Sequence, residues 1–118
     1  MNKQEIVLVG FKDLDINEAE LIVTNLQNKI NNSLNSKEII FITSKLAQNI
    51  GLVIVNLSNA KLSIAENLFL QFAYTNRTPI LGVGEENKNA FLSQIVLNQF
   101  PSVEDAIDHY KANYYNII

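Results

Sequence analysis

A three-layer α/β fold, with a parallel sheet of about five strands and helices on both faces, is predicted from three observations. Apolar runs that would fill both faces of a strand recur: "EIVLVGF" from Glu5 to Phe11, "KEIIFIT" from Lys37 to Thr43, "GLVIVNL" from Gly51 to Leu57 and "PILGVG" from Pro79 to Gly84. Helical periodicity occupies the segments between several of them. A length of 118 residues suits one domain around one core, taken as residues 1–118. A flavodoxin-like strand order, 2-1-3-4-5, is the expected arrangement.

The elements follow in order. The first run is strand one, ending at Gly10. "DINEAELIVTNLQNKI" then sets Ala19, Ile22, Val23, Leu26 and Ile30 at helical spacing, with Asp15 and Glu18 positioned for a capping box, and predicts helix one. Strands two and three are the runs Lys37–Thr43 and Gly51–Leu57, and "SKLAQNI" between them has room for only about two helical turns. In "SIAENLFLQFAYTNRTPILGVG" a helix puts Ile64, Ala65, Leu68, Phe69, Phe72 and Ala73 on one half of its circumference, and that half is expected to face the sheet. Pro79 stops this helix and starts strand four. Residues Lys88 to Leu97 read as a further helix and "NQF" as a short fifth strand. The closing helix, in "PSVEDAIDHYKANYY", has Ser102 capping toward Asp105 and places Val103, Ala106, Ile107, Tyr110 and Tyr114 on one face.

Composition narrows the function. A formal net charge of −3, with Lys and Arg scattered singly, offers no patch for phosphate polymers, so nucleic acid is not an expected partner. The absence of cysteine removes disulfides, thiol catalysis and Cys-based zinc sites. "MNKQEIVLVGF" is too short an apolar run for a signal peptide or a membrane span, and a cytoplasmic protein with no membrane partner is expected. His109, with no Cys or elbow Ser to join, supports neither a triad nor a zinc site and reads as a surface residue.

Ligands of open α/β sheets settle beyond the carboxyl ends of the strands. Those ends hold Gly10, Phe11, Lys12 and Asp13 after strand one, Asn56, Leu57, Ser58 and Asn59 after strand three, and Gly82, Gly84, Glu85 and Glu86 after strand four. Gly10, Phe11, Asp13, Asn56, Ser58, Gly84 and Glu85 are the candidate ligand-binding residues. Gly82 and Gly84 give only GxG, short of a dinucleotide fingerprint, and the acids Asp13, Asp15, Glu85 and Glu86 read as caps and solvated groups, so neither cofactor nor metal is expected. Leu70 and Tyr74 lie four apart on the side of their helix away from Ile64 and Leu68. Either another part of the chain covers them or they form an oligomer interface.

Four segments carry a resemblance: "GLVIVNLSNA", "FAYTNRTPIL", "GVGEENK" and "QFPSVEDAIDHY". They are similar to the base-loop strand, the "GYA...GKP" helix-to-strand join, the following loop and the closing "SLDEAL" helix of the nucleoside 2-deoxyribosyltransferase family and its N-glycoside hydrolase relatives. Gly10 falls where that family has Gly after strand one. The resemblance implies a parallel α/β fold, a nucleoside or nucleotide ligand, and a homodimer or higher assembly. It also implies a glutamate nucleophile with acidic residues handling the proton on the base. Here the nucleophile's position falls on Phe69, the glycine after it on Gln71, and the Asp before strand three near Gly51. A phenyl ring has no electron pair with which to attack or hold an oxocarbenium-like centre. Glu66, the only carboxylate on that helix, lies one turn earlier, about 4.5 Å along the axis at a rise of about 1.5 Å per residue.

Three readings follow. One is a family-like protein that has lost transferase chemistry and acts as a nucleoside- or nucleotide-binding or assembly module. Another is a divergent N-glycoside hydrolase or deoxyribosyltransferase using Glu66 as its catalytic residue with Asp13 or Glu85. The third is a receiver-like signalling domain, against which stand Asn56 and Ser58 where an Asp would be phosphorylated, and "GFKD" without the paired acids.

Overall fold

The structure, a computed structural model, describes residues 4–11, 21–30, 35–59, 61–84 and 90–113. Strands β1 (Gln4–Val9), β2 (Leu21–Asn25), β3 (Leu52–Asn56), β4 (Ile80–Val83) and β5 (Asn98–Phe100) form one sheet in the order β2-β1-β3-β4-β5. Every neighbouring pair is parallel. The helices are α1 (Ser36–Leu46), α2 (Ile64–Thr75), α3 (Ala90–Ile95) and α4 (Val103–Asn113).

Alternation along β1 and β3 divides the core between the two faces of the sheet. Val7, Val9, Val53 and Val55 point to the side where Phe69, Leu70 and Ala73 of α2 and Leu92 and Ile95 of α3 pack. Ile6, Leu8, Leu52 and Ile54 point to the other side, against Val103, Ala106, Ile107 and Tyr110 of α4. The three layers are as the sequence predicts, and the order 2-1-3-4-5 is too, although the strand beside β1 is a different segment from the one expected. Also as predicted is α4 with its cap, in which the Asp105 N–H donates to Ser102 Oγ at 3.2 Å.

Two elements of the first half differ. The segment expected to be helix one contains β2 and a 3-10 turn at Leu26–Asn28. Ile22, Val23 and Thr24 are consecutive β-branched residues, which suit a pleated edge beside β1, where Glu5 pairs with Ile22 and Leu8 with Asn25. The Asp15–Glu18 capping box lies outside the described residues. Conversely, the run expected to be strand two is helical. Asn35 Oδ1 accepts the Glu38 N–H at 2.9 Å while Glu38 Oε1 accepts the Asn35 N–H, a capping box that starts α1. Ile40 and Phe41 are then exposed, whereas Ile39, Ile42, Thr43, Leu46 and Ala47 turn inward at helical spacing. Thr43 Oγ1 donates to the Ile39 carbonyl at 2.6 Å and so carries no unsatisfied hydroxyl into the core.

The reassignment of α1 explains a second difference. α1 packs against α2, so the buried face of α2 consists of Ala65, Glu66, Phe69, Leu70 and Ala73. Ile64 is 77% exposed, and Leu68 and Phe72 are half-buried. Leu70 is fully buried in the cluster that Leu46, Ala47 and Ile50 join. It therefore cannot serve as an oligomer contact: its own chain covers it. Tyr74, one turn on, stays exposed. His109 is half-buried, its ring 4.9 Å from that of Phe100, and Tyr114 lies outside the described residues.

Candidate functional site

From β1 the chain moves outward to β2 and then returns to β3 on the other side of β1. The strand order thus reverses between β1 and β3, the position at which doubly wound sheets bind ligands. β1 ends on Gly10 with φ +84°, a left-handed conformation, and a Cβ there would lie 2.9 Å from Leu62 Cδ2. Two amides reach the Gly10 carbonyl, Asn56 Nδ2 at 3.1 Å and Asn59 Nδ2 at 3.0 Å. Each is also held at its oxygen: Asn56 Oδ1 accepts the Ser58 N–H and Asn59 Oδ1 the Lys61 N–H, both at 3.0 Å. These Asx turns shape the loop from β3 to α2 and fasten it to the end of β1.

The neighbouring strands are tied in the same way. Asn25 Nδ2, at the end of β2, donates to the Phe11 carbonyl at 3.0 Å. At the end of β4, Gly84 has φ +106°, and a Cβ there would run into Ser58 Oγ. The Gly84 carbonyl accepts from Gln99 Nε2 at 2.7 Å, and its N–H donates to the Phe100 carbonyl at 3.0 Å. A hollow of about 220 Å³ adjoins this edge between Leu57, Leu92, Val96 and Gln99.

Five of the residues named from the sequence, Gly10, Phe11, Asn56, Ser58 and Gly84, thus meet along one edge, while Asp13 and Glu85 lie outside the described residues. Asn25, Asn59, Leu62 and Gln99 complete the edge. Asn59 was legible as a strand-end residue without a role. Asn25 was hidden by the helical reading of its segment, and no local signal marks Gln99. Ser58 is exposed, with its Oγ lying beside Gly84.

Glu66 lies in the first turn of α2. Ser63 Oγ accepts the Glu66 N–H at 3.1 Å and Glu66 Oε1 accepts the Ser63 N–H at 2.9 Å, a second capping box, with the carboxylate favoured by the positive end of the helix. The side chain is 7% exposed, and among the described residues its Oε2 is buried without a partner. Phe69, one turn on, is fully buried in the core cluster with Val9 and Val55. Among the described residues no group of three or more His, Asp or Glu side chains is arranged to hold a metal ion. Nor is any described helix long and apolar enough to cross a membrane.

Fold and edge together define a doubly wound α/β protein whose strand-end edge, among the described residues, is built largely from amides, glycines and one exposed serine. No protein-family model matches the chain, and no curated protein matches it significantly.

Proposed function

We propose that this chain is a nucleoside 2-deoxyribosyltransferase-like protein that has lost transferase chemistry and works as a cytoplasmic nucleoside- or nucleotide-binding module, assembling as a homo-oligomer. The observation that carries the loss is Phe69: at the position where the resemblance calls for a glutamate nucleophile, an aromatic ring is fully buried in the core. Neither a lone pair nor solvent access is available there for attack at an anomeric carbon. The helix-to-strand join supports the resemblance. Arg77, aligned with the Gly of "GYA...GKP", has φ +62°, the conformation for which Gly is the usual residue.

Ligand binding is supported by the position of the edge, where the strand order reverses between β1 and β3, and by Ser58, which stays exposed there. The test is a titration of isotope-labelled protein with deoxynucleosides and their monophosphates, followed by amide spectra. Saturable shifts clustered at Gly10, Asn56, Ser58 and Gly84 are expected. No response to any of these ligands would remove the binding role and leave assembly, which light scattering reads as a mass above that of one chain.

A second reading is favoured by Glu66. A buried carboxylate oxygen without a donor is costly, and a substrate hydroxyl would satisfy it. In this reading Glu66 is the catalytic group of a divergent N-glycoside hydrolase, with Asp13 or Glu85 handling the proton on the base. Release of free base by the wild type, lost in Glu66→Gln with the thermal transition retained, would select it.

A further inference from the structure

The opposite end of the sheet carries a feature that the nucleoside reading does not use. α2 ends in a Schellman motif: the Thr78 N–H donates to the Ala73 carbonyl and the Arg77 N–H to the Tyr74 carbonyl, both at 3.0 Å. Arg77 occupies the left-handed position of that motif, where glycine fits without steric cost. Its guanidinium has no ion pair or hydrogen bond among the described residues, so the structure gives this charge no internal task.

Arg77 lines a groove of about 590 Å³ together with Tyr74, Thr78, Pro79, Ile95 and Leu97. That volume lies in the range of about 300–1,000 Å³ typical of small-molecule sites. Tyr74 and Leu97 remain 54% and 59% exposed along it, and the hydroxyls of Tyr74, Thr75 and Thr78 are the other polar groups of its lining besides Arg77. The chain as a whole carries a net charge of −3, so a single unpaired cation beside an apolar groove is a local departure from an anion-repelling surface.

We propose that this groove binds a small amphipathic anion, an aromatic or acyl acid whose apolar body lies on Tyr74, Pro79, Ile95 and Leu97 and whose acid group pairs with Arg77. A guanidinium suits such a group because it donates two parallel hydrogen bonds to a carboxylate or sulfonate. This site lies at the amino ends of the strands, apart from the edge assigned to nucleosides, and stands or falls independently of it.

Anilinonaphthalene sulfonate, an amphipathic anion, and phenylnaphthylamine, a neutral molecule of similar body, are the probes. Amide shifts on saturation with the sulfonate are expected at Thr75, Arg77, Thr78, Ile95 and Leu97. Arg77→Gly suits the left-handed backbone, so the fold is not at risk. It is expected to weaken the sulfonate about tenfold, the loss of one charge-assisted contact, while the neutral probe changes less than about twofold. Leu97→Asp is expected to weaken both probes. Equal sulfonate affinity in wild type and Arg77→Gly, or shifts that map away from the groove, would overturn the proposal. So would a probe-free dimer that protects Tyr74 and Leu97, which would assign the groove to a second copy.

Discussion

The two ends of α2 meet the two ends of the sheet and are finished in opposite ways. At its start, Ser63 and Glu66 satisfy each other's backbone groups beside a rim in which Asn56, Asn59, Asn25 and Gln99 already hold the carbonyls of neighbouring strands. At its finish, backbone bonds close the helix, with Thr75 Oγ1 donating to the Gln71 carbonyl at 2.9 Å and Asn76 Nδ2 to the Ala47 carbonyl at 3.1 Å, and Tyr74, Arg77 and Leu97 are left along an apolar groove. The polar end spends most of its side-chain polar atoms on its own loops, so that among the described residues Ser58, one oxygen of Glu66 and one of Asn25 remain uncommitted. The apolar end ties down Thr75 and Asn76 but leaves Tyr74, Arg77 and Leu97 exposed. A count of polar residues near a strand end therefore overstates what a ligand can reach, because short amides are the residues that tie loops together.

Phe69 lies between these ends, and its removal is the largest perturbation. Phe69→Ala is expected to cost about 3–5 kcal/mol in chemical denaturation, enough to threaten both ends together, because the ring is fully buried in a close-packed core. A small cost would mean that α2 is not anchored there. At the polar end, Gly84→Ala is expected to destabilise by about 1–3 kcal/mol, since its positive φ and the nearby Ser58 Oγ both oppose a Cβ. Ser58→Gly in the same background should recover only the steric part.

The two amides on the Gly10 carbonyl sharpen the comparison further. Asn56→Ala and Asn59→Ala are each expected to cost about 0.5–1.5 kcal/mol, and the double variant more than their sum, because only then does the carbonyl lose both donors. Strict additivity in a double-mutant cycle would show that the amides act separately. The smallest effect, and the only gain, belongs to the apolar end. Arg77→Gly is expected to raise stability by about 0.5–1 kcal/mol, as relief of the left-handed strain exceeds the entropy cost of glycine.

From Gly51 onward the sequence was readable because its strands are bounded by strong punctuation: Gly51, the Asn56–Asn59 loop, Pro79 and Pro101. Each apolar run there is a central or adjoining strand, buried on both faces. Before Gly51 the same logic inverted two elements. Ile39, Ile40, Phe41 and Ile42 are as apolar as any central strand, yet they belong to a helix that leaves two of them exposed. Leu21–Asn25 matches a helical period although it pairs with β1. The decisive information was local in one case, the Asn35–Glu38 box, and tertiary in the other, a free edge on β1. Missing α1 also left Leu70 without a visible cover, so that burial by its own chain and an oligomer interface stood as alternatives until α1 decided for the first. The Glu66 geometry was half legible: its place in a capping box follows from "SIAE", but the burial of its second oxygen depends on how the fold closes around it.

Base exchange between a deoxynucleoside and a free base, followed by chromatography at micromolar protein, tests the loss of transferase chemistry most directly. With Phe69 in the core, the expected rate is that of the buffer alone for every donor and acceptor pair. Exchange above that background, abolished in a folded Glu66→Ala variant, would contradict it and make Glu66 the nucleophile of a working enzyme.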